Sequence, residues 1–84
     1  MGGTKKIIMY EIIKRLLVEC ANLREDEISP DAHLREDLGI DSIYAAELTL
    51  ELEEYFDISI DWDEMQDITY VKDVVALVER KVKK

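Results

Sequence analysis

The stretch DLGIDSIYAAELTLELEEYFD, residues 37–57, combines a helical pattern with a serine at the point where that pattern begins. Positions spaced i, i+3, i+4, i+7 and i+11 are small or apolar apart from one threonine. This spacing predicts the inward face of an α-helix that runs from about Ser42 to Tyr55 or Phe56. The residues of this face are Ala45, Leu48, Thr49, Leu52 and Phe56.

The opposite side of the predicted helix mixes carboxylates with two aliphatic residues. An ordinary solvated face would be polar throughout, but single exposed aliphatic residues are common, so this pattern alone is a weak signal. The residues of this side are Ile43, Glu47, Leu50, Glu51 and Glu54.

Either Asp41 or Ser42 can cap the amino end of the helix, because both side chains accept hydrogen bonds from backbone N–H groups. The glutamate that would complete a capping box three residues later is missing in both cases, since Tyr44 and Ala45 occupy those positions. The sequence therefore leaves the choice of cap open.

Two further helices are predicted from apolar stripes near the ends of the chain. Cys20 lies on the first stripe and is expected to be a small buried hydrophobe. Thr69 can cap the last helix, and basic residues gather at its carboxyl end, where the helix dipole favours cations. The two stripes are Met9, Ile13, Leu16, Leu17 and Cys20, and Val71, Val74, Val75, Val78 and Val82.

A long polar connection, residues 22–40, separates the first two helices. Ser29 before Pro30 resembles a cap followed by a first-turn proline, which predicts a short helical turn inside this loop. Connections of this length are uncommon and are usually functional or disordered. Scattered aliphatic residues indicate that this one is held against the helices; they are Ile28, Leu34, Leu38 and Ile40.

The chain of 84 residues is predicted to be one all-α domain: a small bundle of three main helices and one short helix, with the long loop between helices 1 and 2. The short helix is expected around Asp63 to Asp67, and residues 1–5 are expected to be flexible. Hydrophobic residues make up 48% of the chain, which is enough for a core and argues against disorder.

Charge is distributed unevenly along the sequence. The net charge is −9, yet residues 1–24 and 74–84 each carry +3, whereas residues 25–73 carry −15. Nucleic acid and anionic membranes are poor partners for such a surface, and proteins with basic patches are good ones. No apolar run approaches the roughly 18–20 residues needed to span a bilayer. A single cysteine allows no disulfide within the chain. We expect a cytoplasmic monomer without stable membrane insertion.

Enzymatic and metal-binding functions find little support in the residues. A serine nucleophile needs an adjacent base, and the only histidine, His33, is expected to be a solvated loop residue. Asp61, Asp63 and Asp67 match positions 1, 3 and 7 of a calcium loop, but that loop requires glycine where Gln66 stands. It also requires glutamate where Lys72 stands. We therefore expect neither catalysis nor a defined metal site.

From its first helix to Val82 the chain resembles the acyl carrier protein family. The motifs that carry the resemblance are DLGIDSI at 37–43, ELTLELEEYFDISI at 47–60 and ITYV at 68–71. The triplet DSI is common by chance, but its combination with the other motifs in one acidic helical chain is specific. The resemblance implies that Ser42 accepts 4′-phosphopantetheine from coenzyme A through a phosphopantetheinyl transferase, and that the arm's thiol carries acyl groups as thioesters.

The resemblance also implies two sets of contact residues around Ser42. Partner enzymes with basic docking patches, such as acyl-loading, ketosynthase or acyltransferase-type enzymes, are expected to bind an exposed set. The cargo is expected to lie against an inward set. The exposed set is Asp41, Ile43, Tyr44, Glu47, Leu50, Glu51 and Glu54, and the inward set is Ala45, Leu48, Thr49, Leu52 and Phe56.

Several positions depart from those usual in fatty-acid-synthesis carriers. Ala45 and Thr49 stand where threonine and valine are common, Tyr44 replaces an acidic residue, and Glu51 adds an acid. These departures favour a specialised carrier over a housekeeping one in fatty-acid, polyketide or related lipid biosynthesis. Two alternatives stay open: an aminoacyl or peptidyl carrier, and an unmodified acidic helical adaptor that binds basic proteins.

Overall fold

A computed structural model of the chain describes residues 2–82, with side chains described from residue 7 onwards. Its helices are α1 Gly2–Ala21, α2 Ser42–Phe56, α3 Trp62–Gln66 and α4 Val71–Val82, with a short 3₁₀ turn at Glu25–Glu27. Within residues 2–82 there is no β-strand. The predicted all-α bundle, with three main helices, one short helix and a long first loop, is confirmed. The prediction of flexibility for residues 1–5 falls partly outside the described residues and stays a prediction.

The core forms where the apolar stripes of α1, α2 and α4 meet, and α1 contacts both of the other helices. Burying one large aliphatic side chain contributes about 1.5–3 kcal/mol, so these contacts dominate the stability of so small a domain. The side chains with almost no solvent exposure are Ile13, Leu17, Leu48, Leu52, Val71, Val74, Leu77 and Val78.

Two residues of the predicted stripes are not in the core. Cys20 is only partly buried, because it lies where the last turn of α1 borders the first turns of α2 and meets polar groups there. Val82 is 39% exposed, since it stands at the end of α4. Leu77, outside the predicted stripe, is buried because α4 packs against both α1 and α2 and therefore buries a wider face.

The long first loop is held in place by apolar residues and by backbone hydrogen bonds to the start of α4. Val71 N–H donates to the Ala32 carbonyl at 3.1 Å, and Leu34 N–H donates to the Thr69 carbonyl at 2.9 Å. An antiparallel bridge pairs His33 with Tyr70. The loop thus lies against the segment that joins α3 to α4. Its buried residues are Ile28, Ala32, Leu34, Leu38 and Ile40.

The loop contains a short helical turn, as predicted, but Ser29 and Pro30 do not begin it. The helical turn lies earlier, at Glu25–Glu27, where the Glu27 carboxylate accepts from the Arg24 N–H at 2.9 Å. Ser29 instead begins a simple turn, closed by the bond from the Ala32 N–H to its carbonyl at 3.1 Å. The Pro30 carbonyl is used elsewhere, because it accepts from the Lys72 N–H at 2.9 Å and so binds the start of α4.

The short helix and the start of α4 differ slightly from expectation. α3 begins one residue before the predicted Asp63, and Asp61 is its cap. α4 begins at Val71, so Thr69 lies outside the capping position. The Asp73 carboxylate, in the first turn, instead bonds back to the residues before the helix: it accepts from the Tyr70 N–H at 3.0 Å and from the Thr69 N–H at 3.3 Å.

Candidate functional site

Ser42 stands at the first position of α2, on a short segment whose path is set by its neighbours. Leu38 and Ile40 are buried on either side of Gly39, and they hold the approach to the helix against the core. Gly39 adopts a φ of +69°, a left-handed conformation that other residues reach only with strain. This turn leaves the side chain of Ser42 exposed to solvent.

The cap of α2 is Asp41. Its Oδ1 atom accepts from the Ile43 N–H at 3.0 Å and from the Tyr44 N–H at 3.1 Å. The Ser42 hydroxyl is therefore not needed to satisfy the helix end, although Ser42 is equally suited to capping by residue type. An exposed hydroxyl at the positive end of the helix dipole is a favourable position for a group that becomes an anionic ester.

Ser42 lies on the rim of a surface groove of about 530 Å³, which we call the Ser42 groove. Three parts of the chain form it: the end of the first loop, the first turns of α2, and α3 with the residues that follow it. Its lining consists of His33, Leu34, Arg35, Glu36, Ile40, Asp41, Ser42, Ala45, Leu48, Trp62, Met65, Gln66, Ile68 and Thr69.

The predicted cargo-contact residues divide between this groove and the interior. Ala45 and Leu48 line the groove, whereas Thr49, Leu52 and Phe56 do not. Leu52 is fully buried in the core, and Phe56 is partly buried with its ring against that of Tyr55. Periodicity assigned all five to one face, but the groove crosses α2 only at its amino end.

Thr49 places a hydroxyl in the core without leaving it unsatisfied. The side chain is 8% exposed, and its Oγ1 donates to the Ala45 carbonyl at 2.7 Å. A buried hydroxyl without a partner would cost about 1–3 kcal/mol, and this intrahelical bond removes that cost.

His33 is part of the groove wall and not the solvated residue expected from the sequence. Its Nδ1 atom accepts from the Glu36 N–H at 3.1 Å, and its ring packs edge-on against Tyr70 at 5.6 Å. The lining also contains residues that the sequence patterns did not single out, Arg35 and Trp62 among them. Helical periodicity carries no information on which loop residues meet α3, so nothing in the pattern pointed to them.

The predicted partner-contact residues form a continuous exposed surface on α2, which we call the acidic face. Ile43 and Leu50 are 68% and 61% exposed between the carboxylates, and Tyr44 is also exposed. The ion pairs among side chains 7–82 involve other carboxylates, so the charges of this face are not neutralised by neighbours. The acids of the face are Asp41, Glu47, Glu51 and Glu54.

Cys20 borders the acidic face, and its thiol has low reactivity. Its Sγ is 3.7 Å from the Tyr44 carbonyl oxygen and 3.7 Å from the Glu47 Oε1 atom. Burial raises the pKa of the Cys20 thiol above its ordinary value of 9.0, and the negative charge of Glu47 raises it further. The thiol is therefore protonated at neutral pH and is a poor nucleophile.

Neither a metal-binding cluster nor a membrane-spanning helix is present in the part of the chain that the structure describes. No three side chains of histidine, cysteine, aspartate or glutamate converge to hold a metal ion within the residues that the structure describes. Over the same part of the chain, none of the helices combines the length and apolar character that crossing a bilayer requires.

Both the sequence and the fold of the chain are similar to those of known proteins. The family model for the phosphopantetheine attachment site matches residues 11–78. An acyl carrier protein from Sulfurovum sp. (strain NBC37-1) is 38% identical over 71 residues, covering 84% of this chain and 95% of that relative.

Two solved structures share the fold. One, from Mycobacterium tuberculosis and assigned as an acyl carrier protein, has a TM-score of 0.79 and 34% identity, covering 86% of this chain and 96% of the other. The apo doublet acyl carrier protein from prodigiosin biosynthesis has a TM-score of 0.77 and 26% identity. The match covers 88% of this chain and 36% of the doublet chain.

These similarities confirm the family that the motifs predicted. Members of this family are carriers and not enzymes, and the matched region is the one to which 4′-phosphopantetheine becomes attached. The residues around Ser42 fit that group, since they offer an exposed hydroxyl at a helix amino end beside an open groove. The chain belongs to the acyl carrier protein family.

Proposed function

We propose that Ser42 is the attachment residue and that the protein carries acyl groups between enzymes of fatty-acid, polyketide or related specialised lipid biosynthesis. The observation that carries the proposal is the division of roles at the start of α2. Asp41 makes the cap, which leaves the exposed Ser42 hydroxyl available beside the groove. When attached, the prosthetic arm supplies a thiol that holds cargo as a thioester.

In the attachment step the chain itself supplies only the Ser42 hydroxyl. The Ser42 oxygen forms a bond to the phosphorus that bears pantetheine, the pyrophosphate bond of coenzyme A breaks, and 3′,5′-ADP leaves. A base on the transferase takes the hydroxyl proton, with Mg²⁺ stabilising the charge on the phosphates. Among side chains 7–82 none is hydrogen-bonded to the Ser42 hydroxyl, which is consistent with this role: His33 Nδ1 accepts from the Glu36 N–H, and Asp41 Oδ1 accepts from the Ile43 and Tyr44 N–H groups.

Mass spectrometry tests the attachment directly. Apo protein incubated with coenzyme A, Mg²⁺ and a broad-specificity transferase should gain one phosphopantetheine mass. Ser59→Ala is a matched control, since Ser59 is also exposed but lies beyond the other end of α2, and it should load normally. Ser42→Ala should gain nothing. Loading of Ser42→Ala, or no loading of the wild type, would contradict the proposal.

The acidic face supports docking of the transferase and of acyl-handling enzymes that present basic patches. Unneutralised carboxylates give fast, salt-sensitive association, and the exposed Ile43 and Leu50 add short-range apolar contact. A carrier that visits several enzymes needs such contacts to be weak enough for release. The chain acts as a cytoplasmic monomer in this proposal. Size-exclusion chromatography with light scattering would test the oligomeric state.

Charge reversal separates docking from attachment. Glu47→Lys and Glu51→Lys should each lower kcat/KM for loading by about tenfold at low salt, and less at high salt, because they remove charge from the acidic face. Glu19→Lys makes the same charge change at an exposed position on α1 and should have a small effect. Equal losses in all three variants would show that net charge, and not this face, determines docking.

Intact-mass analysis of protein isolated from its native host would identify the cargo. An aliphatic, hydroxyacyl or ketoacyl mass supports the acyl carrier function. An amino-acid mass would support the aminoacyl or peptidyl alternative, and unmodified protein would favour the acidic adaptor.

A further inference from the structure

One basic residue, Arg35, lines the Ser42 groove together with the acids Glu36 and Asp41. Residues 25–73 hold seventeen acidic and only two basic side chains, Arg35 and Lys72. Lys72 is already engaged, since its Nζ lies 3.1 Å from Asp31 Oδ1 and 5.4 Å from the centre of the Tyr70 ring. Arg35 lines the groove together with Ser42 and is exposed. Among side chains 7–82 it takes part in none of the ion pairs.

The backbone holds Arg35 close to the segment that leads to Ser42. The Arg35 carbonyl accepts from the Gly39 N–H at 3.1 Å, and the neighbouring Leu34 carbonyl accepts from the Ile40 N–H at 2.8 Å. Leu34 and Ile40 are both buried, so this turn is fixed to the core. The backbone of Arg35 is therefore fixed in a turn that lines the same groove as Ser42.

The far wall of the groove contains an aromatic surface. Trp62 is the first residue of α3 and the only tryptophan in the sequence. It lines the groove, and 44% of the residue is exposed to solvent. Met65, one turn later, is buried beneath the same wall. An indole that is partly exposed in a groove has apolar area available for a flexible chain with amide and methyl groups.

An arm attached at Ser42 can lie in either of two directions. Over the acidic face, its phosphodiester anion would approach Glu47 and Glu51, and like charges repel. In the groove, the same anion meets Arg35, and guanidinium groups form directed hydrogen bonds to phosphate oxygens. Asp41 borders both paths, and Glu36 also lines the groove. The groove is therefore favoured by the directed bonds that Arg35 can make to phosphate oxygens and not by its net charge.

We propose that the 4′-phosphopantetheine arm rests in the Ser42 groove, with its phosphodiester paired to Arg35 and its pantetheine chain against Trp62. Arg35 is a positioning residue. This inference rests on attachment at Ser42. Its consequence is that the resting arm leaves the acidic face uncovered, so partner enzymes dock on one surface while the cargo lies on another.

The single tryptophan gives a direct measurement. Conversion of the wild type from apo to holo protein, kept under a reducing agent and verified by mass, should shift Trp62 emission to shorter wavelength and reduce its quenching by acrylamide. Ser42→Ala carried through the same reaction should show neither change. Holo wild type with unchanged emission and quenching would overturn the proposed resting position while leaving attachment at Ser42 intact. Failure of the wild type to gain mass would overturn both proposals.

A comparison of melting temperatures isolates the role of Arg35. The change in Tm between apo and holo forms is measured for wild type, Arg35→Gln and Lys72→Gln, which removes the other basic residue of the acidic segment. The change in Tm from apo to holo protein should be about 2–4 °C less favourable in Arg35→Gln than in the wild type, a small effect because an exposed ion pair contributes little. In Lys72→Gln this change in Tm should equal that of the wild type. Arg35→Gln should also restore part of the acrylamide quenching in the holo form. Equal shifts in the two variants would show a general charge effect and contradict the pairing.

Discussion

Lys81 Nζ lies 2.8 Å from Glu64 Oε1, and this ion pair joins the last turn of α4 to α3. The same carboxylate oxygen accepts from the Asp61 N–H at 3.0 Å, so Glu64 both completes the capping box of α3 and ties it to the bundle. α3 has only five residues and carries one wall of the Ser42 groove. The position of that wall therefore depends on a contact between α3 and the last turn of α4.

The Lys81–Glu64 pair predicts a pH-dependent contribution to stability. The hydrogen bond from Lys81, with help from the Asp61 N–H, holds the pKa of Glu64 below its ordinary value of 4.5. A carboxyl group whose pKa is lowered in the folded state contributes stability above the unfolded value and loses it as pH falls through the folded value. Lys81→Gln should therefore lower Tm at pH 7, and the difference from wild type should shrink as pH falls below about 4.5.

Arg80→Gln is the matched control for this pair, because it removes the same charge one residue away. Arg80 lowers the pKa of Glu64 only as the last of several causes, so the variant should lose less Tm and show a weaker pH dependence. Identical pH profiles for the two variants would rule out a specific bond from Lys81.

The cap of α2 predicts that stability and loading are separable at adjacent residues. Asp41→Ala removes the acceptor for two backbone N–H groups and should cost about 0.5–2 kcal/mol in urea unfolding. Asp41→Asn keeps an acceptor and should cost less. Ser42→Ala should leave the free energy of unfolding nearly unchanged while abolishing loading. A loss in Ser42→Ala as large as in Asp41→Ala would mean that the serine contributes to the cap.

The buried hydroxyl of Thr49 predicts contrasting effects of two substitutions. Thr49→Val removes the donor together with its bond, and the Ala45 carbonyl keeps its helical partner, so the free energy of unfolding should change by less than about 1 kcal/mol. Thr49→Ser keeps the hydroxyl but removes a buried methyl group, which should cost about 0.8 kcal/mol or more. A larger loss in Thr49→Val than in Thr49→Ser would show that the hydroxyl matters more than the packing.

The surroundings of the Cys20 thiol predict its rate of alkylation, which can be measured in the apo protein because no arm thiol competes for the reagent. Because burial and the nearby Glu47 carboxylate raise the pKa of the thiol, alkylation by iodoacetamide at pH 8 should be slower than for free cysteine. Glu47→Gln should accelerate it by lowering that pKa toward 9.0. Glu54→Gln removes an equal charge elsewhere on the acidic face and should change the rate little. Equal acceleration in both variants would contradict a local contact.

Much of the fold could be predicted from local pattern alone. The spacing of Leu48 and Leu52 on α2, and of Val71, Val74 and Val78 on α4, indicates which sides are buried, since periodicity at 3.6 residues depends only on neighbours along the chain. The same argument misplaced Cys20 and Val82, which lie where a helix borders another helix or ends. Burial at such positions depends on the partner and not on the pattern.

The helix ends illustrate a different limit. Asp41 and Ser42 are equally good caps by residue type, and only the backbone path through Gly39 selects Asp41. Ser29–Pro30 has the composition of a helix start, yet the Pro30 carbonyl binds the N–H of Lys72, forty-two residues later in the chain. A contact between segments so far apart outweighs the local preference of either one.

By itself the sequence determined the helices, the acidic segment and a serine of recognisable motif, because each of these depends on residues that are close neighbours in the chain. Only the tertiary structure decided what surrounds that serine. Arg35 from the first loop and Trp62 from α3 line one groove with Ser42, because distant segments are held together by backbone bonds between the loop and the start of α4 and by the Glu64–Lys81 pair. Such contacts offset the entropy of closing long loops only when the whole bundle forms, so no short stretch of residues encodes them.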